Sequence, residues 1–485
     1  MTGLWMLLLL GVAVIGTGLP VWALLLGCSS LFAALGLATG AIDAGILGAV
    51  PARLVGLLEH DLLQALPLYV LIGVLLQRLT VADAMFSTLA RLLRRSGAGP
   101  SLAALGVGAL IAPMNGSVAS SSALLSRLIA PRLSHLPPER GIALASVAAT
   151  IGVVVPPSLV LILLGDAMLR AHTEATNLPA SVSGFGASFA ASGQRIVNTQ
   201  DVLHAALLPA GLVLLCWLAV AWWQGHQTPD FKEKQPEVPV SASQFAIAFI
   251  AILAILGLLA SVFTGKMFAV EAAATGGCLL ALATLASRSL SMGQWQAVLS
   301  DALAISGSLL ALLVGATTFS LVFRAFGTDQ WLALWVAGLP GGALAAALAI
   351  LLMVALCAWV LDAFEMIFVI IPILAPLLIA RLGDAQQAAV LLLLVLQLGF
   401  LVPPMGYAVI MARAHGGFAA VRTSTLLKAL WPYVGVQLVL IAIVFAAPWL
   451  VHQLDAPVVP RLEAPASDQD IIKQMEDMAR DGQGK

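Results

Sequence analysis

The chain has 485 residues, of which 61% are hydrophobic and only 10% charged, with a formal net charge of −1. Soluble domains carry about 25% charged residues, so this composition excludes a soluble protein with a large core. No basic patch with interleaved aromatics is present, which excludes a nucleic-acid binder.

Apolar runs of about 20 residues, the length of a membrane-crossing helix, recur from end to end. Met1 to Leu19 is apolar without an opening Lys or Arg, so it reads as a first membrane helix and not as a secretion signal. Spans are expected at roughly 4–18, 21–40, 64–80, 139–171, 201–224, 244–263, 268–287, 302–325, 384–415 and 429–451. Residues 81–95 set Arg91, Arg94 and Arg95 beside Leu89, Leu92 and Leu93, the pattern of an amphipathic arm at the interface. Residues 290–300 are a weaker candidate for a matching arm. Cys28, Cys216, Cys278 and Cys357 each sit alone in apolar sequence, without metal spacing, and read as small buried hydrophobes.

Segments 101–133 and 341–380 are too long for one crossing and polar in the middle: Pro113-Met114-Asn115-Gly116 in one, Asp362 and Glu365 in the other. Each fits a re-entrant helical hairpin, whose irregular tip must be shielded by protein or face water. Two further spans are interrupted by double prolines, Pro156-Pro157 and Pro403-Pro404. Proline lacks the N–H that a continuing helix needs. The breaks lie 247 residues apart, and so do Asn115 and Asp362. Paired breaks in two halves are the sequence mark of a secondary transporter's binding site.

Placing the 81–95 arm in the cytoplasm puts 13 Lys and Arg inside and 6 outside, with the tail excluded. That satisfies the positive-inside rule. It also opens the first hairpin to the cytoplasm and the second to the exterior, so the halves are inverted. The fold class is therefore an all-α polytopic membrane protein of inverted-topology repeats, with two re-entrant hairpins and two broken helices. The expected organisation is a scaffold with arm (1–100), a first transport repeat (101–224) with hairpin 101–133 and broken helix 139–171, and a cytoplasmic linker (225–243). A second scaffold (244–340), a second transport repeat (341–451) with hairpin 341–380 and broken helix 384–415, and a polar tail (452–485) follow.

Asn115, Gly116 and Ser117 at the first tip offer the hard oxygens that sodium prefers, whereas Ser120, Ser121 and Ser122 taken singly read more simply as packing residues. Asp362 and Glu365, three apart on one helical face, are costly carboxylates in a membrane interior and functional by default. At the breaks, freed carbonyls suit a cation and half-helix N-termini suit a carboxylate. Thr150 and Ser158 could add oxygens there, and Gly406 allows close approach of backbone. Asp166 and Arg413 read as helix-end anchors. A membrane enzyme using Asp362 and Glu365 as acid and base would need a nucleophile or metal cluster that the sequence does not supply, so no enzyme is expected.

The stretch from Thr150 through Pro156-Pro157-Ser158 to Asp166 resembles the large membrane subunit of TRAP transporters, the tripartite ATP-independent periplasmic systems. Leu361-Asp362-Ala363-Phe364-Glu365-Met366, Ile371-Pro372-Ile373-Leu374-Ala375-Pro376 and Leu396 to Gly406 resemble its second repeat. The Asp-x-x-Glu pair is most similar to the mannitol/chloroaromatic-type branch of these DctM-like permeases. Asn115 and Met405 stand where members commonly carry a hydroxyl residue and an aromatic. The resemblance implies an elevator-type importer of the ion-transporter superfamily in the bacterial inner (cytoplasmic) membrane, driven by sodium as coupling ion and without other cofactors. Its implied partners are a periplasmic substrate-binding protein and a small four-helix membrane subunit, and its implied substrate is a small carboxylate. By position, one sodium site would use Asn115, Gly116, Ser117 and backbone near Pro156, and the other Asp362 and backbone near Pro403. A stand-alone ion-coupled carrier of the same superfamily is the alternative.

Overall fold

The computed structural model describes residues 2–59, 61–115, 117–133, 136–156, 158–176, 198–226, 240–403 and 406–455. The linker and polar tail expected from the sequence lie largely outside them. The first half runs α1 (Thr2–Thr17), α2 (Val21–Ala38), short α3 (Ala44–Gly48) and α4 (Val50–Leu58), α5 (Asp61–Arg78) and α6 (Val81–Leu92). It continues as α7 (Gly99–Asn115), α8 (Val118–Ile129), α9 (Pro138–Val154), α10 (Leu159–Thr176) and α11 (Thr199–His226). The second half runs α12 (Ala242–Phe263), α13 (Ala269–Ala286), α14 (Met292–Ala325), α15 (Thr328–Ala337) and α16 (Gly342–Ala358). A single turn Ala363–Glu365 and a π-helical segment Met366–Ile370 lead into α17 (Ile371–Leu382), then α18 (Ala385–Leu401), α19 (Tyr407–His415) and α20 (Thr423–Ala446).

Six of these helices are long and apolar enough to cross a membrane, or up to eight if each bent pair is one span. Their burial is graded. Every residue of α9 from Gly141 to Val154 is buried, and nearly all of α18. α12, by contrast, buries only Ala248 and Val262 and exposes Phe249, Ile250 and Leu253. A helix apolar on all sides that shows such a face to its surroundings is solvated by lipid. The broken helices thus form the centre and the long unbroken helices the rim.

The 247-residue offset holds element by element. Shifted by it, α9 falls on α18, α2 on α13, α5 on the second half of α14, and α6 on α15. The packing is exchanged accordingly. α5 lies against α13 and α14 against α2; α8 lies against α19 and α17 against α10. Where α9 and α18 cross, Gln397 Nε2 donates to the carbonyl of Thr150 at 3.2 Å, and these two residues are 247 apart. Equivalent residues can meet in this way only where a pseudo-two-fold axis passes. The offset ends after α10 and α19, because the first repeat has a longer segment before its closing helix.

The arms need a correction. Residues 290–300 are the start of the 34-residue α14 and not an interfacial arm. The equivalent of α6 is α15, which starts after Gly327 in the left-handed region (φ 64°). α6 itself bends away from α5 by 67°, as an arm should. The short helices α3 and α4 are absent from the sequence reading; they correspond to the first turns of α14.

Candidate functional site

Both breaks have the same backbone logic. A residue before proline is pushed out of the helical region. Val155, before Pro156, has φ −76° and ψ 118°; Val402, before Pro403, has φ −82° and ψ 113°. The first broken helix bends by 41° across the gap. Close packing holds the breaks in place: a Cβ on Gly152 would lie 2.4 Å from the Ala112 carbonyl carbon, and one on its equivalent Gly399 would lie 2.7 Å from Ala358 Cβ. On Gly406 a Cβ would meet the Val402 and Phe400 carbonyl oxygens at 2.8 and 2.9 Å. Each broken helix is therefore pressed against the first arm of its own hairpin.

The hairpin tips meet. Ser117 stands at the N-cap position of α8 in extended conformation (φ −121°, ψ 135°), yet its hydroxyl does not cap that helix. It lies instead close enough to the carboxylate of Asp362, on the other hairpin, to interact with it. Asp362 stands at the N-cap of the single turn Ala363–Glu365 in extended conformation (φ −76°, ψ 168°). Its Oδ1 is buried without a hydrogen-bond partner among the described residues. A buried carboxylate oxygen left unpaired is costly, and here it lies where the two tips converge. Glu365 Oε2 accepts the N–H of Asp362 at 3.1 Å, the return half of a capping box. Part of the Asp-x-x-Glu pattern is thus local helix-start chemistry. Tyr407, the first residue of α19, lies close enough to Asp362 and Glu365 to feel both charges.

The two breaks differ in how their carbonyls are used. The Val402 carbonyl accepts both Trp359 Nε1 (2.7 Å) and the Gly406 N–H (2.9 Å). Both its lone pairs are taken, so it is not an open ligand. Ser158 Oγ accepts the Leu161 N–H at 3.1 Å and caps the second half of its broken helix.

Other residues expected at the site have different surroundings. Thr150 donates its hydroxyl to Val147 O at 3.0 Å and lies at the α9–α18 crossing, six residues before Pro156. Ser121 reaches Ala112 O at 3.5 Å and ties the two arms of its hairpin together. Asn115 ends α7. Gly116, Pro157 and Pro404 lie outside the described residues, while Pro156 and Pro403 are buried at the breaks. Asp166 is buried in the middle of α10, not at its end, and pairs with Arg170 on the same helix, whereas Arg413 lies in the last turn of α19 and donates to Val421 O at 2.8 Å. His204 and His415 contact the carbonyls of Phe263 and Met411, and His172 is buried within α10. All four cysteines are free.

Three contributors were not singled out by sequence. Tyr407 is one of only three tyrosines and follows Gly406 directly, a signal that could have pointed to it. Trp359 and Gln397 are legible only through the offset, as equivalents of Ala112 and Thr150. Gln397 is fully buried and bonded to Gln437, which donates to its Oε1 at 2.8 Å.

Residues 6–450 match the family described as the tripartite ATP-independent periplasmic transporter, DctM component. The chain is 23% identical over 399 residues to the C4-dicarboxylate TRAP transporter large permease protein DctM of Rhodobacter capsulatus, covering 81% of this chain and 86% of that one. It is 25% identical to the sialic acid TRAP transporter permease protein SiaT of Haemophilus influenzae and 22% identical to the isethionate TRAP transporter permease protein DctMQ of Oleidesulfovibrio alaskensis. These matches cover 82% and 80% of this chain, but only 61% and 57% of those longer proteins. Among solved structures, the YdaH transporter of Alcanivorax borkumensis superposes with a TM-score of 0.56 at 16% identity, covering 93% of this chain and 99% of that one. That likeness concerns the fold. The chain belongs to the DctM component family and is a multi-pass TRAP transporter large permease.

Proposed function

We propose that this large permease imports a small carboxylate by sodium symport, with inverted repeats that move a central transport unit past an outer scaffold. The observation that carries this reading is the junction of the hairpin tips, where Ser117 meets Asp362 and Asp362 Oδ1 is left unpaired. A hard monovalent cation suits an unpaired carboxylate oxygen beside a hydroxyl and irregular backbone. In this reading Asp362 and Ser117 ligate one sodium. Asn115, Gly116 and the Val155 carbonyl face the same task in the first repeat, and the half-helix starting at Ser158 presents its positive end to an anionic substrate. Gly406 lets backbone approach closely at the second break, and Glu365 orients Asp362 through the capping box.

The relatives transport, by their names, C4-dicarboxylates, sialic acid and isethionate. All are small organic acids, which supports an acid substrate here. The proposed partners are a periplasmic binding protein that delivers the acid and a small membrane subunit that steadies the scaffold. The proposed location is the bacterial inner membrane.

The test is uptake of a panel of organic acids into proteoliposomes holding the permease with its small subunit. Sodium gradient, cognate binding protein and ATP are each added or withheld. Uptake that needs the first two but not ATP is the expected result. Uptake that runs on sodium without any binding protein would replace this reading by a stand-alone carrier, and uptake indifferent to sodium would remove the cation site.

A further inference from the structure

The seam between α6 and α12 contributes neither Ser117 nor Asp362, yet it holds two cavities that share these helices as walls, the deeper one reaching Met114 of the first hairpin. One, of about 720 Å³, lies where the end of α6 meets the start of α12 and is lined by Thr88, Arg91, Leu92, Arg95, Ser241 and Phe245. Arg91 and Arg95 are exposed, and so are the apolar side chains of Leu92 (63%) and Phe245 (47%). Arg91 gives one N–H to Val240 O at 3.3 Å. The Ser241 hydroxyl already accepts the Gln244 N–H at 3.2 Å. The polar side of this cavity is therefore cationic and rich in donors, with no carboxylate among the described residues that line it.

The other cavity, of about 500 Å³, is apolar and completed by α5 and α13; Tyr69, Val81, Ile250, Ala254, Gly276 and Ala283 line it. From Phe245 in the first to Ala254 in the second, α12 advances nine residues, about 13 Å. That depth is within the half-thickness of the hydrocarbon core, about 15 Å.

The second repeat provides a control built into the molecule. Its equivalent apolar cavity, about 540 Å³, is present between α1 and α15, where Leu4, Leu7 and Gly11 correspond to Ala251, Ala254 and Leu258. The equivalents of Thr88, Arg91, Arg94 and Arg95 are Trp335, Gly338, Gly341 and Gly342. The apolar slot thus follows from the architecture, whereas the guanidinium groups occur in one repeat alone. Charge that only fixed topology could lie anywhere on that loop; here it lines the cavity next to the slot along α12.

We propose that the α6–α12 seam binds an anionic phospholipid, with its headgroup phosphate on Arg91 and Arg95 and one acyl chain in the apolar slot. Guanidinium groups suit phosphate oxygens, and an anionic leaflet favours basic residues placed at its surface. The inference needs only a membrane-embedded chain and is independent of which solute is carried.

The test is lipid titration of the delipidated full-length protein in detergent, followed by native mass spectrometry. The probes are dioleoyl phosphatidylglycerol, dioleoyl phosphatidylcholine and glycerol 3-phosphate. The double variant Arg91→Gln/Arg95→Gln should weaken phosphatidylglycerol binding by about 25-fold, at roughly fivefold per arginine. Arg422→Gln/Lys428→Gln, which removes the same charge elsewhere, should leave it unchanged. Ala254→Trp should weaken binding with both arginines intact; if that variant does not fold, Ala283→Phe on the opposite wall fills the same slot. Phosphatidylcholine should bind less than phosphatidylglycerol throughout. Equal losses in the two double variants would overturn the site. Tight binding of glycerol 3-phosphate that ignores the filled slot would make it a free-anion site and overturn the lipid assignment.

Discussion

The two repeats share a backbone and divide the chemistry. At the first tip the polar groups are neutral, Asn115 and Ser117; at the second the equivalent of Asn115 is Asp362, with Glu365 one turn on. The break beside the first tip has Ser158 as a helix cap, and the break beside the second has its Val402 carbonyl closed by Trp359 and Gly406. At the ends of α5 and α14 the equivalents Gln77 and Arg324 both reach towards the second arm of a hairpin. Gln77 donates to Ser120 Oγ at 2.6 Å, while Arg324 holds Glu174 through two bonds of 2.6 Å and touches Pro372 O at 3.4 Å. The teaching is that pseudo-symmetry fixes where functional backbone lies, and side-chain divergence decides what each copy does there.

The largest effect should come from making the tips alike. Asp362→Asn gives the second tip the residue that the first already has and removes the charge beside Ser117. Losing a charge-assisted contact of about 1.5–3 kcal/mol weakens sodium roughly 10- to 100-fold. The sodium dependence of uptake reads this directly, and an unchanged midpoint would exclude Asp362 from the cation site. The reciprocal Asn115→Asp should not restore transport to that variant if the two tips have separate tasks.

Next come the equivalent glycines. Gly152→Ala sets a Cβ against backbone at 2.4 Å, whereas Gly399→Ala meets the Ala358 side chain at 2.7 Å. Overpacking costs about 1–3 kcal/mol. The Gly152 variant should lie at the upper end, because backbone yields less than a side chain. Thermal unfolding in detergent should show the larger fall for Gly152→Ala, and the reverse order would mean that α7 moves more freely against α9 than α16 does against α18.

A smaller loss is expected from Arg324→Gln, which copies Gln77 into the second repeat. The Arg324 and Glu174 side chains are 31% and 35% exposed, so screening limits the pair to about 1 kcal/mol. A fall of a few degrees in the melting temperature, reduced further at high salt, is the expected reading. No salt dependence would mean that the contact with Pro372 O is what matters.

Much of this fold could be read in the sequence because its strongest signals repeat. Pro156 and Pro403 mark the breaks through a missing N–H, and apolar length marks the crossings. The arm equivalent to α6 was harder to see, since glycines (Gly338, Gly341 and Gly342) stand where the arm has Arg91, Arg94 and Arg95 and the amphipathic pattern is lost; only the offset finds it. At the candidate site, residue type drew attention to Asp362 and Ser117, which the fold brings near one another across the hairpins. Type alone could not place Thr150, because nothing in a threonine says that its hydroxyl donates to Val147 O. Trp359 escaped notice because an indole in an apolar run reads as an interface anchor, and its bond to Val402 O depends on how two helices cross.

Glu365 is where the two kinds of reading compete, and it gives the smallest expected effect. A carboxylate in the membrane interior counts as functional by default, yet its Oε2 already accepts the Asp362 N–H. Glu365→Gln keeps an acceptor there and removes only charge. If Glu365 acts through the capping box, this variant should change sodium affinity less than about threefold, while Glu365→Ala, which loses the acceptor, should cost about 1 kcal/mol of stability. If charge at Glu365 contributes to the cation site, Gln should instead approach the loss seen with Asp362→Asn while melting like the native protein. Measuring affinity and melting on both variants separates these cases, because the amide keeps the hydrogen bond and discards the charge, whereas alanine discards both.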